Sequence, residues 1–237
     1  MPDTSIPPSG TQIIEARRVR LAPRDGAAML EVDLQVLPGQ LHLIYSDDPD
    51  NSSAISDVLL GLCDAAQGEV RWQGRTWAEI PPRSAYRLRG NVSRVTSRGN
   101  WMDTRSVMEN ILLPLRHHTV LPDDILREMA CDFAQRFGLP GLPMLLPGQC
   151  PEPDLQRAAC VRAFMGRPQL VILEHPLEFA DAGLLPPLVD AIQQVRRRKG
   201  SVIWFTRRRA ILEEPGIHAD HRYRIAGRQL LELEAAA

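Results

Sequence analysis

The segment Gln40–Leu62, QLHLIYSDDPDNSSAISDVLLGL, constrains the fold more than any other part of this chain. An apolar run, a tight polar turn and a second apolar run at helical spacing make a strand–turn–helix unit. That is the frame of a phosphate-binding loop, G-x-x-x-x-G-K-[ST]. Its glycines let backbone N–H groups close on an anion and its lysine reaches the outer phosphates. The window here is SDDPDNSS: Ser46 and Asn51 take the glycine positions, Ser52 takes the lysine position, and only Ser53 fits. Asp47, Asp48 and Asp50 add carboxylates. At an effective dielectric of about 20 and about 5 Å, each repels a unit phosphate charge by roughly 3 kcal/mol. A micromolar ligand binds with only about 8 kcal/mol in all. A nucleotide has little reason to stay in such a loop.

The 237 residues suffice for one large domain or a core with a smaller subdomain, and 44% hydrophobic content predicts a well-packed core. A formal net charge of −1 gives no global field for nucleic acid or anionic lipid. The start, MPDTSIPPSG, has acids and prolines and no apolar core, so no signal peptide is expected and residues 1–10 are expected to form a mobile tail. No run approaches the roughly 18 apolar residues of a membrane span. Cys63, Cys131, Cys150 and Cys160 lack C-x-x-C spacing, which argues against a metal site and for buried free thiols. Cytosolic exposure is the consistent expectation.

Along the chain, Thr11–Ala22 predicts a strand followed by a turn at Pro23–Gly26, and Leu30, Val32, Leu34 and Val36 alternate as in a half-buried strand. Glu69–Trp77 is strand-like with a turn at Gly74, Arg83–Arg89 a short helix, and Asn91–Thr96 a strand. Residues 98–166 read as helical. Ile125, Met129, Phe133 and Phe137 predict one buried face of an amphipathic helix that starts at Asp123-Asp124 and ends at Gly138. Leu155–Gly166 is a second helix introduced by Pro153-Asp154. Alternation then resumes: Gln169–Glu174 and Ser201–Thr206 are fully apolar strands of the buried parallel type, flanking a helix over Gly183–Lys199. Arg222–Glu234 closes the chain as a hairpin.

These landmarks, in order and spacing over roughly residues 12–230, resemble the nucleotide-binding subunit of an ATP-binding cassette (ABC) transporter. The nearest likeness is the ATPase subunit of MCE-type phospholipid transporters, the maintenance-of-lipid-asymmetry group. Ser106–Leu126 (SVMENILLPLRHHTVLPDDIL) and Gln156–Pro176 (QRAACVRAFMGRPQLVILEHP) carry the resemblance. It implies an α/β, P-loop NTPase-like ABC domain with a mainly parallel core sheet, an antiparallel β portion and an inserted helical subdomain. The core would cover 11–97 and 167–237 and the subdomain 98–166.

Laid on the family pattern, the active positions depart one after another. The Q-loop glutamine falls on Ser97. The signature LSGGQ falls on Cys150, Pro151, Glu152, Pro153 and Asp154. The Walker B aspartate falls on Glu174, the catalytic glutamate on His175 and the switch histidine on Arg207. Pro176 and Asp181 fit, and Leu21 stands on the strand that would carry the adenine-stacking aromatic. In the family the signature grips the partner subunit's γ-phosphate at a helix start. Pro151 and Pro153 each remove an N–H there, and Glu152 and Asp154 bring acid where the phosphate would sit. Both helix N-termini are therefore expected to be capped by the protein's own carboxylates, with Asp50 and its neighbours opening the helix Ser52–Leu60.

Each suggestive group has a plainer alternative. Glu174 and Ser53 suit Mg²⁺, and His175 suits a base on water. Without lysine and glycines that set has no substrate, so no catalytic or cofactor-binding residue is expected. His117-His118 and His218–His221 lack a third ligand and read as solvated loops, so no metal is expected. Arg196–Lys199 and Arg207–Arg209 read as solvated or partner-facing surface, and no nucleic-acid partner is expected. Trp101 and Met102 follow the Q-loop position, where the family receives its permease, and are expected to contact it. The resemblance then implies a pseudo-ATPase subunit or regulator of an MCE-type transporter, with a membrane permease as partner. It would be peripheral on the cytoplasmic face of the inner membrane, as a homodimer or in a heterodimer with another ABC ATPase. The alternatives are an unconventional ATPase energising lipid transport, with ATP and Mg²⁺ as cofactors, and a soluble binding module detached from any transporter.

Overall fold

A computed structural model describes residues 12–21 and 29–233; the expected tail over 1–10 and the turn at Pro23–Gly26 lie outside the described residues. The strands are β1 (Ile14–Arg20), β2 (Glu31–Val36), β3 (Leu41–Tyr45), β4 (Gln67–Trp72), β5 (Arg75–Thr76), β6 (Val92–Val95), β7 (Leu170–Glu174), β8 (Ser201–Thr206), β9 (His221–Ala226) and β10 (Gln229–Glu232). The helices are α1 (Pro49–Leu59), α2 (Pro82–Arg89), α3 (Val107–His118), α4 (Asp123–Arg136), α5 (Glu152–Phe164), α6 (Leu185–Arg197) and α7 (Arg209–Leu212). All described strands join one sheet in the order β5-β4-β1-β2-β10-β9-β3-β8-β7-β6. β9, β3, β8, β7 and β6 run parallel, while β1, β2, β4 and β5 pair antiparallel. The sheet is therefore mixed, with a parallel half and an antiparallel half, as expected.

The parallel half is parallel because both its faces are covered. LVILE in β7 and SVIWFT in β8 are buried at every residue. On one face, Val171, Leu173, Val202 and Trp204 pack against α3–α6; on the other, Ile172, Ile203 and Phe205 pack against α1 and the antiparallel strands. β2 alternates buried and exposed residues, as a one-sided strand does. β1 carries a bulge between Ala16 and Val19, with Arg18 at φ 45° and Gly68 of β4 packed against it.

Several expectations change. In α4 the buried stripe is Leu126, Ala130 and Ala134, with Phe137 just beyond; Ile125 is exposed. A spacing of four residues drifts about 40° per step around a helix with 3.6 residues per turn, so the predicted stripe leaves the interior at its start. Helix α5 begins at Glu152, earlier than Leu155, because a proline is tolerated in a first turn whose N–H groups have no partners anyway. His117 and His118 end α3 and ring Tyr86 rather than lying in a loop, and His221 stacks on buried His42. Arg196 donates to Gly39 O, His218 O and Asp220, so it is a clamp, not solvated surface. Of the cysteines only Cys160 is buried; Cys63 and Cys131 are exposed. Among the described residues no helix is long and apolar enough to cross a membrane.

Candidate functional site

The adjacent parallel strands β3, β8, β7 and β6 bring their carboxyl ends to one edge, where open α/β sheets bind ligands. Ser46, Arg207, His175 and Ser97 lie within two residues of those ends. Four of the family positions therefore gather at one edge of the sheet.

The turn after β3 is satisfied from within. Helix α1 starts at Pro49 because Asp48 caps it: its carboxylate accepts from the Asp50 N–H at 2.9 Å, and Pro49 pre-sets the first helical φ. Asp48, not Asp50, is the capping residue, and Asn51 falls in the first turn. Ser46 is buried; its hydroxyl donates to Asp48 O at 2.8 Å and its N–H to Thr206 O at 3.0 Å. The Tyr45 hydroxyl donates to Asp47, which raises the phenol pKa.

Ser52 and His175 meet behind this turn, both buried. The Ser52 hydroxyl donates to Pro49 O at 2.6 Å and lies 3.0 Å from His175 Nε2. With that hydroxyl proton committed, the imidazole N–H must donate to Ser52 Oγ, which puts the ring proton on Nε2. Nδ1 is then the basic atom, and it is buried without a partner. Burial lowers the His175 pKa, and its backbone stands at φ 50°, fixed by an N–H bond to Phe205 O at 3.0 Å. A general base must present its free nitrogen to water. This one faces the interior.

Arg94, on β6, completes the arrangement and was not singled out from sequence; the available signal was an arginine within the strand-like VSRVT. Its Nε donates to Glu174 at 2.6 Å, its Nη1 to Asp57 at 2.6 Å, and its Nη2 to the Ser53 hydroxyl at 3.1 Å. Burial works against the charged guanidinium, but the Glu174 and Asp57 carboxylates outweigh it and hold its pKa above the ordinary value. Glu174 is itself 3% exposed, so this pair is largely out of water.

The remaining positions sit apart. Pro151 caps α5 with no side-chain hydrogen bond, so the expected carboxylate cap is absent there. Proline offers no acceptor side chain; Glu152 and Asp154 lie in the first turn and favour the helix dipole without capping it. Cys150 is half-buried, and burial, then Asp154, raises its thiol pKa. Glu152, Gln156, Ser97, Trp101 and Phe179 line a cavity of about 230 Å³, so the structure brings the Q-loop and signature positions together. Pro176 is buried. Asp181 accepts from Arg157 at 2.5 Å and from Gly183 N–H at 2.8 Å, which lowers its carboxyl pKa. Arg207 pairs with Glu178 at 3.0 Å. Leu21 is buried in the core, facing no ligand space. Trp101 packs against the core under the Arg162 guanidinium, 4.5 Å from the ring centre, whereas Met102 is 45% exposed.

No family model matches the chain. Among solved structures it superposes on a dimeric ATP-binding cassette in a post-hydrolysis state bound to ADP and Pi, with a TM-score of 0.78 over 93% of this chain and 97% of that one, at 14% identity. The chain has the fold of an ATP-binding cassette. In sequence the chain is 22% identical over 222 residues to the intermembrane phospholipid transport system ATP-binding protein MlaF of Haemophilus influenzae, covering 92% of this chain and 82% of the relative. It is also 22% identical over 192 residues to MlaF of Escherichia coli strain K12, covering 81% and 71%.

Cassettes of this fold imply Mg²⁺ and ATP, and the residues present do not fit them. In phosphate-loop enzymes the loop serine and the Walker B acid hold the metal. In this chain Ser53 and Glu174 both hold Arg94. The lysine position is a buried serine bonded to the catalytic-glutamate position. The Asp50 N–H at the helix start, which would face a phosphate, is bonded to the Asp48 carboxylate.

Proposed function

We propose that this cassette is a non-hydrolysing subunit or regulator associated with the permease of an MCE-type phospholipid transporter, working through protein contacts on the cytoplasmic face of the inner membrane. The observation that carries the reading is internal satisfaction of the site: Arg94 binds Glu174 and Ser53, and His175 binds Ser52. The likeness to MlaF supports the transporter class. The chain divides, on this reading, into a core of 11–97 and 167–237 and a helical subdomain of 98–166.

In a cassette dimer each nucleotide lies between one subunit's phosphate loop and the other's signature. A chain altered at both spoils both sites of a mixed dimer, which favours an inhibitory, assembly or structural role, whether as homodimer or beside another ABC ATPase. Met102 is the better candidate for permease contact, since Trp101 is committed to Arg162 and the core.

Calorimetric titration with Mg-ATP tests the reading. No saturable heat is expected up to about millimolar ATP, where a site would contribute only about 4 kcal/mol. Saturable binding in the low micromolar range would instead favour the unconventional ATPase. Purification from native membranes is expected to bring down a permease, with Met102→Asp weakening its recovery; no permease in either case would favour a detached binding module.

A further inference from the structure

We propose that Arg94 is a built-in cation standing in place of the divalent metal, so that this cassette holds its site closed without metal and gains a divalent-cation site when the guanidinium is removed. The inference deepens the non-hydrolysing reading and rests on it for its meaning, though its test is separate.

One guanidinium fork joins three elements: β6 through Arg94 itself, β7 through Glu174, and α1 through Asp57 and Ser53. Its nitrogens lie 2.6 Å from each carboxylate and 3.1 Å from the hydroxyl, so three oxygen donors converge on one cationic centre. Two carboxylates and a hydroxyl are the hard oxygen donors that suit Mg²⁺ or Mn²⁺. A planar, permanently charged fork satisfies the same donors with fixed directions and needs no hydration shell. The two cations compete, since Arg94 occupies Glu174 Oε1 and the Ser53 hydroxyl and its fixed positive charge repels a divalent ion brought up beside it. Burial gives the arrangement its force. A carboxylate as enclosed as Glu174 is costly to leave without a cationic partner. With the arginine truncated, a divalent ion is the cation that fits.

The test uses the full chain and Mn²⁺ as probe, read by electron paramagnetic resonance and by thermal unfolding. The parent chain is expected to bind no Mn²⁺ saturably and to unfold at the same temperature in chelator and in Mn²⁺. Arg94→Ala is expected to unfold earlier in chelator, to bind Mn²⁺ saturably, and to regain about 3–6 °C when Mn²⁺ is about tenfold above its Kd. Arg94→Ala with Glu174→Gln is expected to lose that binding. If Arg94→Ala does not fold, Arg94→Met, which keeps an aliphatic stem, is read the same way. Saturable Mn²⁺ binding by the parent that Glu174→Gln abolishes overturns the proposal. So does a folded Arg94 variant that gains no Mn²⁺ binding. Mg-ATP binding by the parent with no metal at Glu174 would overturn the non-hydrolysing reading and leave this one standing.

Discussion

The Ser52 hydroxyl and the His175 imidazole lie 3.0 Å apart in the interior, tying the first turn of α1 to the residue after β7. The residue at the lysine position points into the interior contact with His175. The site is thus not an open phosphate loop short of one residue, and repairing one residue is not expected to reopen it.

Ser52→Lys tests that directly. Ser52 is 1% exposed, so the new ammonium would be enclosed beside neutral His175 and near Arg94. An uncompensated buried charge costs about 3–5 kcal/mol. Urea denaturation should register a loss of that size, and Mg-ATP titration of the variant should remain flat. A variant as stable as the parent that binds ATP would show the closure to be incidental.

Acid should weaken the fold in a window set by His42. This residue is wholly buried, with Nδ1 unpartnered, stacked on His221 and Tyr223 and bonded to Gln40. Burial and then the His221 charge lower its pKa from 6.5 to about 3. A folded pKa below the unfolded one means that the unfolded chain takes the proton first. His42's contribution is therefore complete above about pH 6.5 and is lost toward pH 3, at about 1.4 kcal/mol per pH unit. His175, shifted in the same direction, adds to the slope. Denaturation midpoints at pH 7, 6, 5 and 4 should fall steadily, and His42→Phe should flatten the fall; an unchanged slope would assign the protons elsewhere.

Arg157→Ala should destabilise although Arg157 stands outside the nucleotide positions. Its guanidinium donates to Phe137 O at the end of α4 and to Asp181 at 2.5 Å. Truncation leaves the Phe137 carbonyl, at the buried end of α4, without this donor, at a cost of about 1–3 kcal/mol, while half-exposed Asp181 keeps its Gly183 N–H. Arg157→Lys should recover only part, because one ammonium cannot span both acceptors. Chemical denaturation of both variants checks the order.

Two glycines with nearly equal φ should respond differently to alanine. Gly68 stands at φ 80°, and a Cβ there would lie 2.2 Å from Arg18 O in the β1 bulge. Gly74, at φ 82°, has nothing within 4 Å. Gly74→Ala should cost only backbone strain, about 1 kcal/mol, whereas Gly68→Ala adds a backbone collision and should cost about 3 kcal/mol or more. Thermal unfolding should rank them accordingly, and equal losses would mean that the bulge yields freely.

The sequence by itself determined the element types and their order. The buried runs Leu170–Glu174 and Ser201–Thr206 and the strand–turn–helix at 40–62 are local patterns, and a local pattern reports which side of an element avoids water. The family resemblance named Ser46, Ser97, His175 and Arg207, and the parallel topology gathers those strand ends at one edge. Phase was less legible: Ile125 lost its expected place to Leu126 because a four-residue repeat outruns the helix turn. The α5 cap failed because Pro151 occupies the N-cap position and offers no acceptor side chain. Only the tertiary structure decided what the site residues hold. Ser52 meets His175 across 123 residues of chain and Arg94 meets Glu174 across 80. Such pairs form because distant strands bring buried polar groups within reach and burial forces each to find a partner. No spacing within the chain encodes that choice.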